Sequence, residues 1–255
     1  MTRLHLRHAL VGGIAIAIAA CTSPPPDPAP VDPPAPLATP SPTVAPVSAS
    51  DRAAASRLRQ VGLEYRSAGE FEAAIAALQE SVALDPETLS GSVILGWTLH
   101  LVGRTGEAER ALQAALDRDA DHIPALNALG IAYLVDGQLD RAIATHERAA
   151  SLDPENEIAV YNLSLAYQRA GDTETAIQNA LRATELEPEN PHPWVALAIA
   201  HWSAENLDDA RAAYSRAIQL DGRYWDRVFL DHLAQAGFSA AQIELSDRVR
   251  YASLQ

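Results

Sequence analysis

The sequence predicts an all-α protein, an α-solenoid of five repeated helix pairs followed by a C-terminal helical cap. The first observation is self-similarity, because the chain repeats itself every 34 residues from residue 55 onward. The second is a set of helix-ending residues: glycines suited to close the first helices, and Leu-Asp-Pro or Leu-Glu-Pro after second helices. The third is composition, since Ala and Leu dominate between Asp51 and Leu220, as in closely packed helices. The glycines are Gly69, Gly103, Gly137 and Gly171.

Each predicted unit contains two helices that face each other. The units are 55–88, 89–122, 123–156, 157–190 and 191–224. In the third unit Leu126, Leu129 and Tyr133 form an apolar stripe on the first helix, which faces small residues such as Ala142 on the second. A pair of ~14-residue helices, each ~21 Å long, cannot bury these stripes alone, so neighbouring units must stack. The fifth unit lacks the glycine, and Asn206 is expected to take its role.

Two of the units carry a resemblance to a known family. Units three and four contain PALNALGIAYLVDGQLDRAIATHERAASLDPEN and AVYNLSLAYQRAGDTETAIQNALRATELEPEN. These segments resemble tetratricopeptide repeats, although His146 stands at a usually apolar site and Ser92 at the site of a large residue. The resemblance implies stacked helix pairs with a concave groove, lined by a second face of each first helix, that binds protein segments.

The period fails after Tyr224. The segment WDRVFLDHLAQA predicts a further helix that ends at Gly237. Ser239 and Gln242 have the spacing of a capping box, which predicts a last helix toward Tyr251. Because terminal units of a solenoid need one polar face, residues 225–255 are interpreted as a degenerate sixth unit with capping helices.

The resemblance places candidate binding residues on the groove face of the first helices. Ile131, Leu165 and Ile199 are expected to pack sideways between adjacent first helices. Large rings on this face would leave exposed apolar area unless a partner covers it, so the Trp and Tyr residues are either ligand contacts or packing residues. The candidate partner-binding residues are Trp97, His100, Leu101, Asn127, Leu134, Val135, Tyr161, Gln168, His192 and Trp202.

The same face indicates which ligand it would take. Some members of the family grip a peptide carboxylate with Lys, Arg and Asn side chains. This groove offers Asn127 and Asn162, with Arg59 and Arg66 one or two units away and no Lys. A carboxylate clamp is therefore disfavoured. The expected ligand is a protein or peptide that lays an amphipathic helix or an extended apolar segment along the groove.

Composition and motifs argue against other functions. The formal net charge of −14 disfavours nucleic acid, which attracts clustered Lys and Arg. No HExxH motif and no phosphate-binding glycine loop is present, and His192 and His201 lack a third ligand nearby. The sequence therefore predicts no catalytic residue, no metal site and no cofactor.

The N-terminal 50 residues have a separate character. Arg3 and Arg7 precede an apolar run that ends in Ile-Ala-Ala-Cys21, which resembles a bacterial lipoprotein signal with its lipobox. The resemblance implies removal of residues 1–20 and acylation of Cys21, which would bind the lipid bilayer. An uncleaved membrane helix is the alternative, but the run of ~12 apolar residues is shorter than the ~20 needed to cross a bilayer.

The segment after Cys21 predicts a spacer. Eleven of the 17 prolines lie between residues 22 and 50, so 21–50 is interpreted as the lipidated cysteine followed by a disordered, semi-rigid linker. A PxxP-type ligand is the alternative reading.

Two functions remain compatible with these features. One is a lipid-anchored scaffold for protein–protein interactions in the bacterial cell envelope. The other resembles a type IV pilus pilotin, a lipidated repeat protein that escorts an outer-membrane secretin. In a bacterium with two membranes, Thr22 after the acylated cysteine would resemble an outer-membrane sorting signal, with the protein facing the periplasm.

Overall fold

The computed structural model describes residues 46–254, and within this range every regular element is helical. Ten α-helices form five consecutive pairs, which confirms the predicted all-α solenoid. The pairs are α1 Ala49–Ser67 with α2 Phe71–Leu84, α3 Leu89–Leu101 with α4 Thr105–Leu116, α5 Ile123–Val135 with α6 Leu139–Leu152, α7 Glu157–Ala170 with α8 Thr173–Leu186, and α9 Pro191–Ser203 with α10 Leu207–Leu220. Two 3-10 helices and one α-helix follow them. These are η1 Gly222–Trp225, η2 Val228–Ala236 and α11 Ala240–Ala252.

In the first three pairs, the backbone of the first helix closely approaches a side chain of the second helix. A Cβ added at Gly62 would lie 2.7 Å from Cγ of Leu78, and one added at Gly96 would lie 2.5 Å from Cγ of Leu112. At the equivalent place in the third pair, Gly130 faces His146 instead of a leucine. The glycines are therefore required because a larger residue would collide with the second helix of its own unit.

The turn between the two helices of a unit uses a left-handed residue. The four glycines predicted for this role have φ between 76° and 86°. In the fifth unit the left-handed residue is Glu205, with φ of 61°, whereas Asn206 has φ of −82°. The expectation for Asn206 is wrong because Glu205 stands 34 residues after Gly171, and the repeat geometry determines which residue turns.

The C-terminal segment leaves the repeating pattern. Gly237 ends η2 in the left-handed conformation, and the capping box of Ser239 and Gln242 is present at the start of α11, as the sequence predicts. η1 packs on α10, and α11 contacts both α9 and α10. A second helix of a regular unit would pack mainly on its own first helix, so α11 occupies a different position from α2, α4, α6, α8 and α10.

The buried apolar residues form two clusters. The smaller cluster belongs to the first two units and contains Ile75, Leu78, Leu95, Leu99 and Ala108. The larger cluster runs from Leu112 on α4 to Val249 on α11. The C-terminal segment is therefore part of the same core as units three to five.

The predictions for the signal, Cys21 and nearly all of the linker fall on residues outside the described range. Among residues 46–254, no helix combines the length and the apolar character that crossing a membrane requires.

Candidate functional site

The first helices of units two to five form the candidate site. α3, α5, α7 and α9 lie side by side, each in contact with the next. Trp97, Ile131, Leu165 and Ile199 occupy equivalent positions on these helices, 34 residues apart. We call the surface that bears these four residues the groove.

Burial divides the groove into two halves. Leu165 and Ile199 are completely buried, whereas Trp97 and Ile131 are only half-buried. The difference cannot come from the repeat, since the four positions are equivalent. It arises because the protein's own C-terminal segment covers α7 and α9 and leaves α3 and most of α5 uncovered.

Aromatic and backbone contacts attach the start of this segment to α7. The Tyr161 hydroxyl donates a hydrogen bond to the carbonyl of Ala236 over 2.7 Å. The rings of Tyr161 and Phe238 lie 6.3 Å apart between centroids. Desolvation raises the pKa of Tyr161 well above its usual value, so this hydroxyl is a donor throughout the working pH range. Tyr161 therefore binds a segment of its own chain.

A buried amide network attaches α11 to the same half of the groove. Gln242 Nε2 donates to the carbonyl of Leu165 over 3.1 Å and to Oε1 of Gln168 over 2.9 Å. Gln168 Nε2 in turn donates to the Ser203 hydroxyl over 2.9 Å. The polar groups of Gln168 are consequently satisfied within the chain.

The uncovered half contains a hollow of about 270 Å³. Its apolar lining includes Trp97, Ile131 and Ile158, and residues 235–237, at the end of η2, form a wall beside Tyr161. Glu157 and Glu187 contribute carboxylates to the same lining. We call this region the open half of the groove.

Other predicted residues surround the open half. Leu101 and Val135 are about half exposed, at 48% and 53%, on the ends of α3 and α5. The ring of His100 packs 5.2 Å from that of Trp97, and burial lowers the pKa of His100. A neutral imidazole beside an indole adds to the apolar character of this region.

The structure places Leu134 and Asn127 in packing roles and leaves Trp202 half-buried. Leu134 is completely buried, and Trp202 packs against the larger core cluster. Asn127 is buried, and its side-chain amide exchanges hydrogen bonds of 3.1 and 3.2 Å with that of Asn156, the residue that caps α7. Leu134 and Asn127 are therefore not free to receive a partner.

His192 lies in an aromatic cluster at the start of α9. Its ring centroid is 6.4 Å from that of Tyr224 and 5.6 Å from that of His232. Burial and the neighbouring His232 lower the pKa of His192, while Asp221 opposes the shift. Within residues 46–254, no three His, Cys, Asp or Glu side chains are grouped so that they could hold a metal ion.

Most of the lining was not among the predicted binding residues: Ile131, Glu157, Ile158, Asn162, Glu187, Asn190 and residues 235–237. The repeat pattern assigns Ile158 to the groove face, so that signal was present. The path of residues 225–254 is set by contacts more than 70 residues apart in sequence, such as Gln242 with Leu165, and no local pattern encodes it.

Comparisons with known proteins agree with the repeat architecture. Two sequence profiles described as tetratricopeptide repeat match the chain, one at residues 60–122 and 161–224 and the other at residues 99–167. Together they cover residues 60–224 without a gap. A search of curated proteins finds no match.

Solved structures share the fold at low sequence identity. The crystal structure of MamA has 22% identity and a TM-score of 0.58, covering 67% of this chain and 93% of that chain. MamA from residue 41 onward of Desulfovibrio magneticus RS-1 has 21% identity and a TM-score of 0.60, covering 66% and 94%. TTC0263, a thermophilic TPR protein of Thermus thermophilus, has 20% identity and a TM-score of 0.58, covering 79% and 100%. Identities this low show a common fold and carry no information about partners.

Proposed function

Because the chain belongs to the tetratricopeptide-repeat family, we propose that it binds an apolar segment of a partner protein in the open half of the groove. Members of this family are generally non-catalytic scaffolds for protein–protein interaction. The hollow between Trp97, Ile158 and residues 235–237 supports this proposal most directly. Ligand sites are concave, mostly apolar and largely formed in advance, and this hollow has all three properties.

The lining of the hollow also indicates the charge of the proposed ligand. Glu157 and Glu187 add negative charge to an apolar surface in a chain whose net charge is −14. A partner segment with Lys or Arg beside its apolar residues would be attracted by these carboxylates, and an acidic segment would be repelled. The proposed ligand is therefore an apolar or amphipathic segment with basic flanking residues.

The N-terminal sequence supports a membrane-anchored place for this scaffold. We propose that residues 1–20 are removed, that Cys21 carries the acyl chains, and that the proline-rich segment separates the repeat domain from the bilayer. Two or more acyl chains give stable anchoring, whereas a single chain binds only marginally. In a bacterium with two membranes, the protein would face the periplasm from the outer membrane.

A pull-down with matched variants tests the groove. Trp97→Ala together with Ile158→Ala removes two apolar walls of the hollow, and truncation of an interface hot spot costs ~2 kcal/mol or more of binding. Leu181→Ala is the control, because Leu181 is exposed on the second helix α8, away from the hollow. The affinity-tagged full chain and both variants would be incubated with detergent-solubilised envelope after circular dichroism confirms their folding.

The proposal requires a protein that the parent and Leu181→Ala retain and that the double variant loses. Equal retention by all three would reject the open half as the binding site. If the retained protein were an outer-membrane secretin, the pilotin-like escort would replace the general scaffold.

The anchor has its own test. Cys21→Ser removes the acylated sulfur, so radiolabelled fatty acid should enter the parent and not the variant, and the variant should leave the membrane fraction. Labelling of the serine variant would contradict lipidation at Cys21.

A further inference from the structure

We propose that α11 is a displaceable internal ligand of the groove, and that the surface beneath it binds a helix of similar chemistry from a partner. This inference rests on the proposed function, since the covered surface continues the open half of the same groove. It identifies a second, regulated part of the site and the class of partner that would open it.

A hinge separates α11 from a firmly held base. Tyr224, Leu230 and Leu233 are completely buried, so η1 and η2 are fixed to the end of the solenoid. Gly237 follows in the left-handed conformation, with φ of 87°. Because glycine reaches a wide range of backbone angles, a change at Gly237 can move α11 without disturbing the base.

The attachment of α11 itself is weaker. Its buried residues are Gln242, Ile243, Ser246 and Val249, of which only two are apolar. Burial of polar side chains contributes little hydrophobic free energy, even when their hydrogen bonds are satisfied. α11 is therefore expected to detach at a lower free energy than the helices of the core.

The packing on one side of α11 is also open. A cavity of about 560 Å³ lies between α11 and the α6 and α7 surface. Gln168, Arg169 and Leu139 line one side of it, and Leu245 and Arg248 of α11 line the other. A loosely packed side forfeits dispersion contacts and gives an incoming segment a place to begin displacement.

The contacts of α11 describe the competing helix. Phe238, which precedes α11, presents its ring to Tyr161, and Gln242 on α11 presents an amide to the Leu165 carbonyl and Gln168. A partner helix that begins one turn earlier could present both groups on one face, since helical residues four apart are neighbours. A partner with an aromatic residue and a glutamine or asparagine at this spacing, on an otherwise small apolar face, would match the surface.

The test uses a synthetic fluorescein-labelled peptide of residues 235–254 and the purified full chain. In the parent, α11 should occlude the site. Gln242→Ala removes both amide hydrogen bonds from the internal helix and leaves Gln168 ready to receive the amide of the peptide. We expect the peptide to bind this variant at least about tenfold more tightly than the parent, measured by fluorescence polarisation.

Controls separate displacement from unfolding. Tyr251 is exposed on α11, so Tyr251→Ala should leave peptide binding as in the parent. A peptide carrying Gln242→Ala should bind the loosened chain at least about tenfold less tightly than the native peptide. If the Gln242→Ala chain does not fold, Ser239→Ala loosens α11 through its capping box without altering the groove and should give the same increase.

Hydrogen exchange decides whether α11 opens separately. Exchange in 240–252 should be faster than in α7 in the parent and faster still in Gln242→Ala. Exchange of α11 at the rate of α7 in both proteins, or no gain in peptide binding once α11 has opened, would overturn the inference. Either result would leave the pull-down with Trp97→Ala and Ile158→Ala unaffected, so the proposed function could stand without it.

Discussion

At the scale of single residues, His146 shows how a repeat position can be occupied by a residue that suits it poorly. The first two units place Leu78 and Leu112 where the third has His146, each against a glycine of the first helix. The imidazole is completely buried, and neither ring nitrogen has a hydrogen-bond partner within the described residues. Burial lowers the pKa of His146 to about 4, the backbone of Gly130 opposing the shift.

This burial gives a pH-dependent stability. Below its ordinary pKa of about 6.5, His146 binds a proton in the unfolded chain but not in the folded chain, so lowering the pH favours unfolding. Through His146, lowering the pH from 7 to 4 should reduce the free energy of unfolding by about 3 kcal/mol. His146→Leu should remove this part of the pH dependence and raise the free energy of unfolding by about 1–3 kcal/mol at pH 7, because the unpaired nitrogens disappear.

Urea unfolding of the parent and the variant at pH 7 and pH 5 measures both effects. His100, His192 and His201 also have pKa values lowered mainly by burial, so only the difference between the two proteins reports on His146. His122→Gln serves as control, since His122 lies beside Asp119 outside the buried core. If the free energy of unfolding of His146→Leu falls between pH 7 and pH 5 as much as that of the parent, this account is contradicted.

Glu205 is a second residue in an unfavourable position. A residue with a Cβ in the left-handed region destabilises the folded state by about 1–2 kcal/mol. Replacing it by glycine removes this strain, but glycine also increases the entropy of the unfolded chain, which offsets part of the stabilisation. Glu205→Gly should therefore stabilise the protein by about 0.5–1 kcal/mol. Gly171→Ala at the equivalent turn of the fourth unit should destabilise it by about 1 kcal/mol. Thermal unfolding should move the two variants in opposite directions, and a lower midpoint for Glu205→Gly would show that its side chain compensates for the strain.

At the scale of elements, neighbouring units are joined by specific polar contacts as well as by apolar stripes. Asn156 accepts a hydrogen bond from the backbone of Ala159 at the start of α7 and pairs through its amide with Asn127 on α5. Asn190 stands 34 residues later and caps α9 through the backbone of His192, with its own amide donated to Glu187. Both asparagines cap a first helix, but only Asn156 also pairs with a buried amide on the preceding first helix.

This comparison predicts two different costs. Asn190→Ala should destabilise the protein by about 1 kcal/mol, the usual loss of a cap. Asn156→Ala should cost about 2–3 kcal/mol, because the amide of Asn127 then also loses its partner in a buried place. Chemical denaturation of both variants and of the combination Asn127→Ala with Asn156→Ala measures the coupling. Asn127→Ala alone completes the comparison. If the losses of stability in Asn127→Ala and Asn156→Ala add up to the loss in the combined variant, the two amides do not stabilise each other.

At the scale of the whole molecule, the two core clusters predict that the ends differ in stability. The smaller cluster joins units one and two, while the C-terminal segment ties units four and five into the larger one. In a solenoid each unit contacts mainly its neighbours, so a defect acts locally. Units one and two should therefore open before units three to five.

A cavity variant tests this division. Leu78 is completely buried in the smaller cluster, and Leu78→Ala should cost about 2–5 kcal/mol. Hydrogen exchange should rise in α1, α2 and α3 and remain unchanged in α7 and α9. Leu165→Ala in the larger cluster is the counterpart, and its effect should extend from α5 to α11. A uniform rise across the domain in Leu78→Ala would indicate one cooperative unit instead.

The sequence alone determined the helix pairs, since their information is local and repeated. A 34-residue period and stripes spaced for a helix recur in five units, glycines at left-handed turns recur in four of them, and the cap of α11 follows from Ser239 and Gln242. These features depend on residues a few positions apart, and errors in single units, as at Asn206, do not disturb them.

Only the tertiary structure decided which part of the groove is accessible. Tyr161, Gln168 and Leu134 have the positions of groove residues, yet Ala236, Gln242 and their neighbours cover or bind them. The same face stays open around Trp97 and Ile158. The distinction depends on where a non-repeating segment turns after Gly237, and that turn is selected by burial and hydrogen bonds with residues far away in the chain.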